Sequence, residues 1–268
     1  MRTGKSLVEL ATEIQRQADA KRDFVFKTTG LKTEVKSDGR ANLIIDNSSE
    51  LDFPITSLMH RQVGEHVGIP AKYYDRMLKE DPELLTHNIN KWFGRAPSEE
   101  RRLIRTLDGN ARAFASDRYR ALDNDAFAEA VLPVLGELGV EIMSAEITDS
   151  RLYIKAVDQR ITRDIPTGRK LGDGSHVFFD TLSPAISLSN SEVGLGSLSV
   201  NTAIYTRICT NLAVAKEKSL RQAHLGGRLS DGVQELLSDQ TKRLTDAATW
   251  AQARDVVRGA FAEAQFEA

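Results

Sequence analysis

One cysteine in 268 residues excludes an internal disulfide and any zinc cage built from several thiolates. No apolar run approaches the roughly 18 residues of a membrane span. Nor does either sign of charge dominate: 36 Lys and Arg stand against 38 Asp and Glu, for a net charge of −2. The chain as a whole is therefore no polycation, and any basic surface has to be local. Met1-Arg-Thr-Gly-Lys-Ser6 leads straight into an amphipathic segment without an apolar signal core, so the expected location is cytoplasmic. Histidines are few. His60 and His66 stand six apart, on different faces of a helix, and no His-Glu-x-x-His occurs. Gly194-x-Gly196 lacks the third glycine and the lysine of a nucleotide-binding loop. The expectation is a protein without catalytic residues, metal or cofactor.

What is present is a core, with 41% apolar residues, and a pattern of strands in pairs. Leu7, Leu10, Ala11 and Ile14 recur at helical spacing, with Ser6 and Glu9 placed as a capping box. Short strands follow at 24–26, 31–35 and 43–45, then a helical region from Ile55 to Phe93. Its helix, Gly68-Ile-Pro70 break and second helix fit either a helix-turn-helix or two small helices packed on a sheet. Asp108-Gly109 marks a tight hairpin between 103–107 and 111–116. A helix over 125–138 carries Pro133, which predicts a kink or early break. A second hairpin spans 140–157, the stretch 161–175 reads as a long loop, and 203–215 and 229–268 read as helices.

The densest feature is Ile186-Ser-Leu-Ser-Asn-Ser-Glu-Val-Gly-Leu-Gly-Ser-Leu-Ser-Val200, followed by Arg207-Ile-Cys-Thr-Asn211. Strand alternation breaks at Asn190, Ser191 and Glu192, passes Gly194 and Gly196, and resumes at Leu198. This segment and the 207–211 helix start are expected to pack together as the principal site. Asn190, Glu192, Gly194, Gly196 and Asn211 belong to it, with Glu192 paired to Arg207 because a buried carboxylate needs a partner. The alternative is a tight irregular turn whose polar side chains satisfy its own backbone.

Two basic stretches flank that segment. The first carries Arg105, Arg112, Arg118 and Arg120 with Tyr119 among them; the second carries Arg207, Lys216, Lys218 and Arg221. Cations for phosphates and rings for bases are what single-strand binding needs. Arg112, Arg118 and Arg120 share parity, so an unbulged strand would place all three on one side. Ion pairing with the many carboxylates is the competing reading.

Ala115-Ser-Asp-Arg-Tyr-Arg-Ala-Leu-Asp-Asn124, Ser189-Asn-Ser-Glu-Val-Gly-Leu-Gly-Ser197 and Arg207-Ile-Cys-Thr-Asn211 resemble, in order and spacing, the phage- and plasmid-borne family catalogued as domain of unknown function 932. Ile69-Pro-Ala-Lys-Tyr-Tyr74 and Ala223-His-Leu-Gly226 are similar too, so the likeness covers about residues 50 to 230. This chain has Leu212 where that family often has glycine. The resemblance implies a mobile-element origin and no particular reaction. The hairpin followed by Tyr119-x-x-Leu122 and Val131-Leu-Pro-Val-Leu135 is also similar to phage single-strand annealing proteins. That likeness implies a basic groove, assembly into rings or filaments, and Arg105, Arg112, Arg118 and Arg120 facing a DNA backbone.

The expected architecture is α+β: an antiparallel sheet with helices on one face, in one domain over 1–228. A helical region is inserted at about 55–95, and a helical C-terminal arm covers 229–268. The expected function is non-enzymatic binding of single-stranded DNA by a homo-oligomer that promotes strand annealing. The alternative is an interaction protein that binds a host replication or defence factor. No membrane partner is expected.

Overall fold

The computed structural model describes residues 3–4, 6–46, 51–166, 179–206, 212–224 and 239–262. A two-residue strand β1 (Thr3–Gly4) precedes helix α1 (Leu7–Ala20). The capping box forms as expected: the Ser6 N–H donates to Glu9 Oε2 at 2.7 Å, and the Glu9 N–H donates to Ser6 Oγ at 3.2 Å. Contacts divide the chain within α1, into a unit of Met1–Gln15 with Arg120–Ala268 and a unit of Arg16–Tyr119. This differs from a single domain ending at 228, because the hairpin and the inserted helices close a core of their own.

The Arg16–Tyr119 unit holds two three-stranded antiparallel sheets and three helices. Strands β2 (Arg22–Lys27), β3 (Leu31–Val35), β4 (Ala41–Ile45) and β5 (Asp52–Pro54) lead to α2 (Ser57–His66), α3 (Ala71–Glu80) and α4 (Pro82–Phe93). Then come β6 (Arg101–Leu107) and β7 (Asn110–Ser116). The sheets run β2-β6-β7 and β3-β4-β5. Thr56 caps α2 and Asp81 caps α4, where Pro82 needs no N–H in the first turn. Asp108 and Gly109 both take positive φ, as a two-residue hairpin turn requires. The core joins Leu43, Ile45, Met59, Val63, Tyr74, Leu85, Ile89, Phe93, Ile104 and Phe114. Tyr74 lies in it, its hydroxyl 2.8 Å from Nδ1 of buried His60, and the absent side chain of Gly64 leaves room for its ring. α2 and α3 thus pack inward on this core, which favours the packing interpretation of that helix pair.

The other unit is built on a seven-stranded sheet. Helix α5 (Asn124–Leu138) leads to β8 (Glu141–Ile147), β9 (Leu152–Val157), β10 (Arg163–Pro166), β11 (Phe179–Asn190), β12 (Leu198–Thr206), β13 (Leu212–Gln222) and α6 (Asp239–Ala260). The strand order is β1-β8-β9-β11-β12-β13, with β10 beside the start of β11. All pairs are antiparallel except β1 with β8. Pro133 does not break α5, which runs on to Leu138 and closes at Gly139 with φ +61°. Its apolar face, Phe127, Val131, Val134 and Leu135, is held against the sheet and outweighs the lost helix bond. One sheet face meets the helices: Leu152, Ile154, Ala156, Ile186, Leu188, Leu198 and Val200 join Leu10, Ile14, Ala253, Val257 and Phe261.

Two expectations change here. Residues 163–166 are a strand within the supposed loop. The expected helix over 203–215 gives way to the end of β12 and the start of β13, whose alternation is obscured by a register shift between Asn201 and Ala203. The expected C-terminal helix is present and packs on this unit: Ala253, Val257 and Phe261 are buried in its core, and Trp250 stacks on Phe127 at 6.1 Å.

Candidate functional site

β11 ends in a buried polar knot. The side chains of Asn124, Asn190, Ser191, Glu192 and His224 are all buried. Asn190 Nδ2 donates to the Leu122 carbonyl at 2.7 Å and to Asn124 Oδ1 at 2.9 Å. Because that carbonyl can only accept, the amide orientation is fixed, and Asn190 Oδ1 faces His224 Nε2 at 3.0 Å. His224 Nδ1 lies 3.1 Å from the Arg120 carbonyl. The Arg120 N–H in turn donates to the His224 carbonyl at 2.6 Å. These bonds fasten the strand end to the segment that opens α5.

Glu192 accepts the Asn124 N–H at 2.8 Å, an orphan donor at the α5 N-terminus, where negative charge is favoured. The expected partner Arg207 lies outside the described residues, as does Asn211. Carboxylate oxygens of Asp123, Asp125 and Glu192 all lie within 4.8 Å of one another. Sequence reading missed this grouping, because 67 residues separate Asp125 from Glu192 and only the fold joins them. An all-oxygen set of this kind is suited to a hard divalent cation, and equally to the positive end of α5.

The turn between β11 and β12 is tied from within and from both flanks. Ser191 Oγ accepts the Leu195 N–H at 3.1 Å, and Gly194 takes φ +79°. The Arg151 guanidinium donates to the Leu195 carbonyl and, at 3.3 Å, to the Tyr153 hydroxyl. A Cβ on Gly196 would lie 2.9 Å from that guanidinium, so glycine here is a matter of room. On the other flank Arg221 Nε donates to Ser197 Oγ at 3.0 Å.

Beyond the turn, the sheet face opposite the helices is polar and open. Pairing sets Glu146, Tyr153, Ser189, Ser199 and Arg221 in one row across five strands. Ser144, Lys155, Ser187, Asn201 and Ser219 form the next row. All ten are half-buried or exposed. Strands about 4.8 Å apart make each row on the order of 19 Å long. The far end of this face is closed by Val157, Ala185, Ala203 and Tyr205. A pocket of about 80 Å³ beside it, lined by Gln159, Thr162, Thr181, Ser183 and Tyr205, is far smaller than a drug-sized ligand site.

The expected cationic track on the hairpin does not form. Arg105 is fully buried, with Nε 2.9 Å from Asp23 Oδ1, and Arg112 is buried as the extra residue of a bulge. β7 ends at Ser116, so Arg118 and Tyr119 sit in the turn beyond it, the first exposed and the second half-buried. Arg120 is spent on Asp246 and Thr249 of α6. An arginine-rich strand with carboxylates elsewhere in the chain satisfies its charges internally. Of the second basic stretch, Arg221 is exposed on the open face; Lys216 and Lys218 lie on β13, with their side chains outside the described set. Arg151, Tyr153 and Lys155 were not anticipated. The alternation of Arg151, Tyr153 and Lys155 with the buried Leu152 and Ile154 was the signal.

No protein-family model matches the chain, and neither a curated protein nor a solved structure matches it.

Proposed function

We propose that the protein binds single-stranded nucleic acid on the open face of the seven-stranded sheet and holds it for pairing with a complementary strand. One observation carries this reading. The two cross-strand rows combine exposed Lys155 and Arg221 with a half-buried aromatic ring, Tyr153, and a field of hydroxyls and amides, with Glu146 the one acidic member. Cations take phosphates, the ring takes a base, and short polar side chains leave room for a backbone to lie flat. Annealing needs no bond chemistry: it requires an extended strand with its base edges free. The same reading has several copies of the chain sharing one strand.

Titration of labelled single-stranded and duplex oligonucleotides at several salt concentrations tests it. Each phosphate neutralised on a single strand contributes about −0.7 to the slope of log affinity against log salt. Lys155, Arg221 and Arg151 together predict a slope of about −2. Replacing Lys155 and Arg221 by Ala is expected to flatten it by about 1.4. Sedimentation with and without the oligonucleotide reads the assembly. Absence of salt-sensitive binding to single strands rejects this reading in favour of a non-enzymatic protein that binds a host replication or defence factor.

A further inference from the structure

Leu195 stands at the tip of the β11–β12 turn with 43% of its surface exposed, while its apolar neighbour Val193 is buried. A leucine so placed on a loose loop would mean little, but this turn is braced. The Leu195 N–H is held by Ser191 Oγ and its carbonyl by Arg151, Gly194 takes a left-handed φ, and Ser197 is held by Arg221.

The two bracing arginines differ from several others in the chain. Arg16, Arg76, Arg102, Arg105, Arg120, Arg160 and Arg258 each lie beside a carboxylate. Arg151 and Arg221 bond only to a carbonyl and to hydroxyls among the described residues. A guanidinium offers five N–H donors in a fork that matches phosphate, and each of these uses one or two. The two guanidinium groups thus flank an exposed apolar side chain on both sides, at the end of the Tyr153 row.

We propose that Leu195 is a wedge that enters between two adjacent bases of a bound single strand, while Arg151 and Arg221 take the phosphates on either side. Apolar side chains do insert between base steps, at the expense of a few kcal/mol of stacking. A pre-set turn spares the ordering a loop would otherwise undergo on binding. An anionic lipid surface would also attract two arginines and a leucine. One leucine presents too little apolar area for a membrane anchor, however, and the polar rows behind it match a nucleotide strand.

The inference rests on the proposed nucleic-acid binding, and one experiment separates the two. Wild type, Leu195→Ser, Leu195→Met and Arg221→Ala are titrated with single strands containing 2-aminopurine, at several salt concentrations, with circular dichroism as a check on folding. Unstacking by the wedge should raise the 2-aminopurine fluorescence with wild type and with Leu195→Met. Leu195→Ser should lose that rise and about tenfold in affinity, leaving the salt slope unchanged. Arg221→Ala should keep the rise and flatten the slope by about 0.7. Salt-sensitive binding without a fluorescence change, or with Leu195→Ser matching wild type, overturns the wedge alone. No binding to any single strand overturns both readings. Vesicles with anionic headgroups captured in a Leu195-dependent way, with no oligonucleotide bound, assign the turn to a membrane instead.

Discussion

Asn190 and His224 meet at 3.0 Å, amide oxygen to Nε2, at the point where β11 leaves the sheet. The same amide holds the Leu122 carbonyl, so one side chain joins the strand end, the approach to α5 and the residues after β13. Asn190→Leu is isosteric in outline but removes the bonds to the Leu122 carbonyl, Asn124 Oδ1 and His224 Nε2. At about 1–3 kcal/mol for each orphaned group, the loss should be at least about 3 kcal/mol, read as a shift in the urea midpoint. Ser187→Ala, on the exposed face of the same strand, should stay within about 0.5 kcal/mol of wild type.

Gly64 tests a different force. A Cβ there would lie 2.7 Å from the ring of Tyr74, which is buried and hydrogen-bonded to His60 and so cannot swing aside. Gly64→Ala should destabilise the protein by about 1–3 kcal/mol through overpacking, despite alanine's better helix propensity. Full stability in the variant would mean that α2 and α3 separate readily.

Burial pushes the His60 imidazole down to about 4 from its ordinary 6.5. The unfolded chain therefore binds this proton more readily than the folded one. The contribution to stability is fully present above pH 6.5 and is lost as the pH falls toward 4, by about 3 kcal/mol in all. Urea unfolding at pH 7, 5.5 and 4.5 reads this slope. His60→Leu should be less stable at pH 7, since it leaves the Tyr74 hydroxyl unpartnered, and flatter with pH. Parallel curves for the two proteins would show that acid sensitivity arises elsewhere.

Arg105 and Arg221 should part company when each is changed to Ala. Removing the fully buried Arg105 leaves a cavity and should lower stability by about 2–5 kcal/mol, to which the lost pairing with the solvent-exposed Asp23 adds little. Removing the exposed Arg221 should change stability by no more than about 0.5 kcal/mol. A stable Arg105→Ala variant with a flattened salt slope would return the hairpin to the binding surface.

Local chemistry was legible where it depends on neighbours in sequence. The Ser6–Glu9 box, the Asp108-Gly109 turn and the paired strands all carry short-range signals that survived folding. The helix expected over 203–215 failed because Ala203, Ile204 and Ala213 are apolar with either period, and the bulge after Asn201 interrupts the alternation that would have marked β12. The arginines on 105–120 looked like a track because sequence shows charge and not burial. Asp23 and Asp246, which neutralise two of them, lie 82 and 126 residues from their partners. The turn at 191–197 was visible as an anomaly, but the Arg151 and Arg221 that brace it come from strands on either side of β11 and β12.

The unit Arg16–Tyr119 is uninterrupted, whereas the core of the other unit draws on Leu10 near one end of the chain and Phe261 near the other. On a ribosome the inserted unit is complete long before its host. At roughly 10 residues per second, Leu10 waits about 25 seconds for Phe261 to emerge. The part of this core that α6 covers stays open throughout that interval, and a message truncated before α6 would leave it without Ala253, Val257 and Phe261.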